Sequence, residues 1–83
     1  MIVNYYSVFD KKSGIYSPVF PCPTHGAAER MVRDTATQEG NQLGRYPDDF
    51  ALYHVFTFDD NHGLIVTKHE PVLLIVEVQA LIS

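Results

Sequence analysis

Residues 51–68, ALYHVFTFDDNHGLIVTK, read as two strands joined by a turn. Leu52, His54, Phe56 and Phe58 alternate with Tyr53, Val55 and Thr57, which is the period of two of an extended chain. The aromatic and β-branched content favours the same conformation. Asp59, Asp60, Asn61, His62 and Gly63 combine side chains that hydrogen-bond their own backbone with a glycine suited to positive φ, so a tight reversal is predicted there. Asp59 and Gly63 are its structural residues, and Leu64 to Lys68 is the return strand. Pro71 is expected to interrupt the run, leaving Val72 to Val78 as a last strand and residues 72–83 as an additional strand or an oligomerising tail.

Working toward the start, Asn4 to Asp10 also alternates, with Tyr5, Ser7 and Phe9 on one side and Tyr6, Val8 and Asp10 on the other. Lys11, Lys12, Ser13 and Gly14 make a turn, and Ile15 to Ser17 returns as the second arm of a hairpin. Pro18, Pro21 and Pro23 then impose an irregular, edge-like path. Thr24 is the N-cap of a helix from His25 to Thr37 whose apolar stripe is Ala28, Met31, Val32, Thr35 and Ala36. Gly40 and Asn41 stop it, and the stretch through Arg45 reads as an exposed polar loop. Pro47, Asp48 and Asp49 form a proline-initiated turn before Phe50, which is expected to anchor it in the core. The resulting order is β-β-α-β-β: an α+β fold with a single antiparallel sheet of four or five strands and one helix packed on one face. Aromatic side chains on the other face exceed what one core uses and suit a functional surface or a dimer interface.

The 83 residues make one small domain, 1–83, whose modest core would gain from pairing with a second copy. No segment reaches the length of a membrane span, and Met1 leads directly into Ile2, Val3 and Asn4 without a cationic leader, so no secretory signal is expected. The single cysteine, Cys22, excludes an internal disulfide and fits a reducing compartment. Ten acidic against six basic side chains give a net charge of −4, which disfavours binding to a polyanion by a bare monomer.

No reaction is specified by these residues. Asp59, Asp60, Asn61 and His62 lack the ligand spacing of a calcium loop and are read as a turn. Cys22 and His25 form only half of a zinc pair, with His54, His62 or His69 left to complete it by folding; the simpler reading is a buried inert cysteine and surface histidines. Neither a nucleophile with an oxyanion loop nor a converging carboxylate pair is present, so the chain is read as noncatalytic, without metal or cofactor. For a nucleic acid, the phosphate candidates are Lys11, Lys12, Arg30, Arg33 and Arg45, and the stacking candidates are Tyr6, Tyr16 and Tyr46. The same charges serve equally as ordinary solubilising groups.

Four segments carry a family likeness: YSVFDKKSG at residues 6–14, YSPVF at 16–20, GRYPDDFALY at 44–53 and FDDNHG at 58–63. In this order they resemble the small nonstructural VP5 or ORF5 protein of gokushovirus-type microviruses, single-stranded DNA phages of bacteria. The resemblance implies a DNA-associated accessory protein that helps turn replication toward single-stranded genome synthesis and packaging, in the cytoplasm of the infected bacterial host. Single-stranded or replicative-form DNA is one implied partner. The alternative is a protein-interaction module engaging the phage replication initiator, host replication machinery or procapsid. The likeness runs from Tyr5 to Gly63; Gly26 in the first helical turn and the apolar tail from Val72 depart from the family's pattern.

Overall fold

Residues 1–82 are described by a computed structural model, in which five antiparallel strands form a curled sheet with the helices against it. The elements are β1 (Ile2–Asp10), β2 (Ile15–Tyr16), β3 (Phe20–Cys22), α1 (His25–Ala36), α2 (Gln42–Arg45), a 3-10 turn at Pro47–Asp49, β4 (Phe50–Asp59), β5 (Leu64–Glu77) and α3 (Val78–Ile82). The α+β fold and the β-β-α-β-β order anticipated from sequence are present.

The sheet runs β2-β1-β4-β5, and β3 pairs with β1 alongside β2. Both hairpin turns use one device, an Asp followed four positions later by a Gly at positive φ, Asp10 with Gly14 (73°) and Asp59 with Gly63 (67°). In each turn the glycine N–H donates to the aspartate carbonyl at 2.8 Å. The Asp10 and Asp59 carboxylates accept from the backbone N–H of Lys12 and Asn61, both at 2.9 Å. At Ser17 the first return arm breaks. Pro18 cannot continue the ladder, and the Ser17 hydroxyl accepts from Val8 N–H at 2.9 Å in place of a backbone carbonyl.

One bulge changes which side chains share a face. Tyr5 pairs with Phe56 and Tyr6 with His54, so Val55 is an extra residue in β4. Alternation alone puts Leu52, His54, Phe56 and Phe58 together, whereas the bulge keeps Leu52 and His54 toward the helices and turns Phe56 and Phe58 to the opposite face. There Phe56 stacks on Tyr5 with ring centroids 4.9 Å apart.

Thr24 caps α1, its hydroxyl accepting from Ala27 N–H at 3.1 Å, and Thr37 is the C-cap. The buried stripe is Ala28, Val32 and Ala36, spaced by four, and it meets Tyr6, Phe50 and Leu52 of the sheet. Met31 lies off this line and is 41% exposed, so it does not belong to the stripe expected from sequence. Residues 41–45 are a correction too. Asn41 caps α2 by accepting from Leu43 N–H at 2.9 Å, and Leu43 packs against the core. Gly44 approaches α1 so closely that a Cβ would lie 2.0 Å from the Ala36 carbonyl oxygen.

Pro71 does not end the return strand. β5 continues through it to Glu77, which the outer strand of a sheet tolerates because its free side needs no donor. The tail expected from Val72 therefore divides into the second half of β5 and α3, with Ser83 outside the described residues. Val78 is fully buried, and Ile75, Val76, Leu81 and Ile82 pack on the core around it.

Candidate functional site: a groove between the first hairpin and α2

The turn after β1 is fastened to the segment before β4. Lys11 N–H donates to the Asp49 carbonyl at 2.8 Å, and Lys11 Nζ reaches the Asp48 carbonyl at 3.2 Å and the Glu77 carboxylate. That ion pair holds the lysine ammonium in its charged form to higher pH than usual. Beside the fastening, an open groove of about 470 Å³ lies between the hairpin's return arm and α2, walled by Val8, Ile15, Tyr16, Pro18, Leu43 and Phe50. A second hollow of about 340 Å³ adjoins it, sharing Asp10 and Phe50 and adding Lys12, Gln42, Tyr46 and Asp49.

Of the eight nucleic-acid candidates, four lie on or near these hollows: Lys12 and Tyr46 line the second, Tyr16 borders the first, and Arg45 adjoins Tyr46. Lys12 is exposed at the hairpin tip, and Tyr16 is 44% and Tyr46 49% exposed. The Arg45 guanidinium lies over the Tyr46 ring, 5.5 Å from its centroid. Tyr16 also joins Phe9 and Tyr53 on the open face of the sheet, with centroids 4.4 and 5.6 Å from its own. Pro47 opens the 3-10 turn, and Phe50 is the buried floor where that turn enters β4.

The other four are elsewhere. Tyr6 has no exposed surface and cannot stack on a base; the run of alternation gave no sign that this ring, rather than Tyr5, points under α1. Lys11 is engaged by Glu77. Arg30 and Arg33 flank a separate shallow groove of about 260 Å³ with Gly26, Glu29 and Leu81, which shares no residue with the first.

A second polar group escaped the sequence reading because its members come from four elements. Tyr6 hydroxyl lies 2.6 Å from His25 Nδ1, and His69 Nε2 lies 2.9 Å from His54 Nδ1. Asn4 fixes the tautomer: its Nδ2 donates to the Pro23 carbonyl at 3.0 Å, which turns Oδ1 toward His54 Nε2 at 3.2 Å. His54 thus donates through Nε2 and accepts from His69 through Nδ1. His54 is buried, not a surface histidine as expected, and burial, with His69 and His25 adding repulsion, pushes its pKa below the ordinary value. Burial raises the Tyr6 hydroxyl and the Cys22 thiol, so both stay protonated. Among the described residues no group of three or more His, Cys, Asp or Glu side chains is placed to hold a metal ion. Nor is any helix among them long and apolar enough to cross a membrane.

Fold and groove together define a small α+β protein whose first hairpin and α2 frame an open cleft. The chain belongs to the phage ORF5 protein family, which it matches over residues 3–81. It is similar to Protein ORF5 of Chlamydia phage 1, with 36% identity over 67 residues, covering 76% of this chain and 70% of that protein. The family match reaches residue 81, so all but the last two residues of the tail set apart in the sequence lie within it. No solved structure matches the chain.

Proposed function

We propose that this ORF5-family protein is a noncatalytic accessory factor that binds single-stranded DNA weakly at the groove between the first hairpin and α2. In this reading it acts in the cytoplasm of the infected bacterium, assisting the switch to single-stranded genome synthesis and packaging. One observation carries the proposal: Lys12 and the half-exposed Tyr46 line the same hollow, with the Arg45 guanidinium over the Tyr46 ring, two cations beside one accessible phenol ring. Base stacking on an aromatic ring contributes about 1–3 kcal/mol per base and tolerates any sequence, while Lys12 and Arg45 supply phosphate contacts. Three of the four segments that carry the microvirus resemblance, residues 6–14, 16–20 and 44–53, contribute walls of this cleft.

Net charge −4 and the Asp10 and Asp49 carboxylates in the cleft favour the second reading, a protein partner such as the replication initiator or procapsid, with basic residues facing those acids. Fluorescence anisotropy with labelled single- and double-stranded oligonucleotides separates the two. Direct contact gives micromolar affinity at low salt, a salt slope of about −1.4 for two single-strand phosphate contacts, and loss of binding in Tyr46→Ala. Arg30→Ala with Arg33→Ala leaves the groove intact and serves as the comparison. Absence of binding at about 50 mM salt, where the electrostatic attraction is strongest, transfers the assignment to the protein partner.

A further inference from the structure

β5 is the outer strand of the sheet, and among the described residues no strand pairs with its far side. Five of the chain's large exposed hydrophobic residues lie on it, Leu64, Ile65, Val66, Leu73 and Leu74, each 46–60% exposed. Between those two apolar runs sit Lys68 and Glu70, which pair with each other at 2.7 Å and stand out in solvent with side chains 64% and 70% exposed. That pairing places both on the same face of the strand, while His69 between them turns inward to His54. Thr67 sends its N–H toward β4, to the Thr57 hydroxyl at 3.0 Å, so alternation directs the N–H of Lys68 outward. Lys68 pairs with Phe56 and Leu73 with His54, so four residues of β5 stand against Val55 alone and the strand bows away from β4 there.

We infer that β5 is an interface for a second copy of this chain, paired antiparallel edge to edge about a two-fold axis at His69. The strand is self-complementary around that residue. Lys68 falls opposite the partner's Glu70 and Glu70 opposite the partner's Lys68, on the same sheet face, because an axis perpendicular to the sheet preserves faces. Val66 falls opposite Val72, and the two apolar runs lie near one another at the ends of the paired stretch. The charges that discourage indiscriminate strand addition are satisfied in this one register. The opposite edge of the sheet offers no second place to grow, being made of two- and three-residue strands interrupted by Pro18 and Pro21. Assembly therefore closes at two copies.

The test is sedimentation velocity on the full chain at about 100 μM, with Lys68→Glu and Glu70→Lys alone and mixed, circular dichroism confirming that each variant folds. The wild-type chain is expected to sediment as twice its 9.4 kDa mass. Each single substitution sets like charges against each other twice and is expected to weaken the dimer at least about tenfold. An equimolar mixture of the two restores it, because every 68–70 contact across the axis is then between opposite charges; rearrangement within one chain cannot do this. A monomeric wild type, a single variant that dimerises normally, or a mixture that stays monomeric would each overturn the inference, the second by locating the dimer contact elsewhere.

Discussion

Replacing Gly44 with alanine probes the contact that holds one wall of the groove. The added methyl carbon would lie 2.0 Å from the Ala36 carbonyl oxygen and 3.1 Å from its carbonyl carbon, so the two helices must separate by more than an ångström. Neither side yields easily. Ala36 belongs to the buried stripe of α1, and α2 is held by the Asn41 cap and by Leu43 against the core. Overpacking costs typically 1–3 kcal/mol, and a clash between two backbones belongs at or above the upper end; the helix preference of alanine over glycine returns about 1 kcal/mol. A net loss of about 2–3 kcal/mol is expected, which for a domain of this size lowers the melting temperature by roughly 10–20 °C. Urea unfolding followed by circular dichroism measures it. Gly14→Ala is the control: nothing lies within 4 Å of the added carbon, and only the positive φ of 73° opposes it, a cost of about 1–2 kcal/mol. A Gly44→Ala protein as stable as the wild type would mean that α2 does not rest on the end of α1. The groove would then lose its wall, and Arg45 and Tyr46 their position.

Phe50→Ala removes the buried ring beneath both hollows and is expected to cost about 3–5 kcal/mol, read as a shift of the urea midpoint. Tyr6→Phe deletes the hydroxyl beside His25 in a site with no exposed surface and is expected to cost about 1 kcal/mol by the same measurement. For pH, His54 in the folded protein titrates below its ordinary value of 6.5, so the unfolded chain takes up the proton first. The His54 contribution is therefore constant well above pH 6.5 and falls as pH drops through that value, until the folded state protonates as well. The carboxylates of Asp59 and Glu70, held low by His62 and Lys68, titrate beneath that window. His54→Gln should flatten the loss between pH 7.5 and 5.5; a midpoint that falls equally in both proteins would remove His54 as its cause.

Period-two runs, the Thr24 cap and the two Asp-to-Gly turns made the element order legible, because each is a local signal. What resisted reading was anything created by pairing. The bulge at Val55 arises from how β1 and β4 match, and no residue near it marks the change of face, so alternation puts Phe56 and Phe58 on one face with Leu52 and His54. Pro71 looks like a strand end until β5 is known to be the outer strand. Residues 41–45 read as a polar loop because a four-residue helix packs one partly buried side chain, Leu43, on the core and is held by a glycine contact that has no pattern in sequence. For the site, Lys12, Tyr16, Arg45 and Tyr46 were recognisable as chemical types. Their relative placement is set by strand pairing and by α2, which no single residue marks, and Tyr6 shows that one step of register separates a partly exposed ring from a buried one.

The pairing of β1 with β4 governs how the chain reaches this structure. Ile2 meets Asp59 and Asp10 meets Phe50, so the central ladder encloses β2, β3, α1 and α2 in a single loop. By contrast, α1 and the β4–β5 hairpin are made of near neighbours. Closing the long loop loses chain entropy before its contacts return any stabilisation, which places the protein among slow, topology-limited folders. During that interval the hairpin would stand with the Phe56 and Phe58 rings and the apolar residues of β5 open to solvent. Pulse-labelled hydrogen exchange would then find amides of α1 and β4–β5 protected ahead of those of β1, and Val78 reaching its buried position only once the first strand is laid against the fourth.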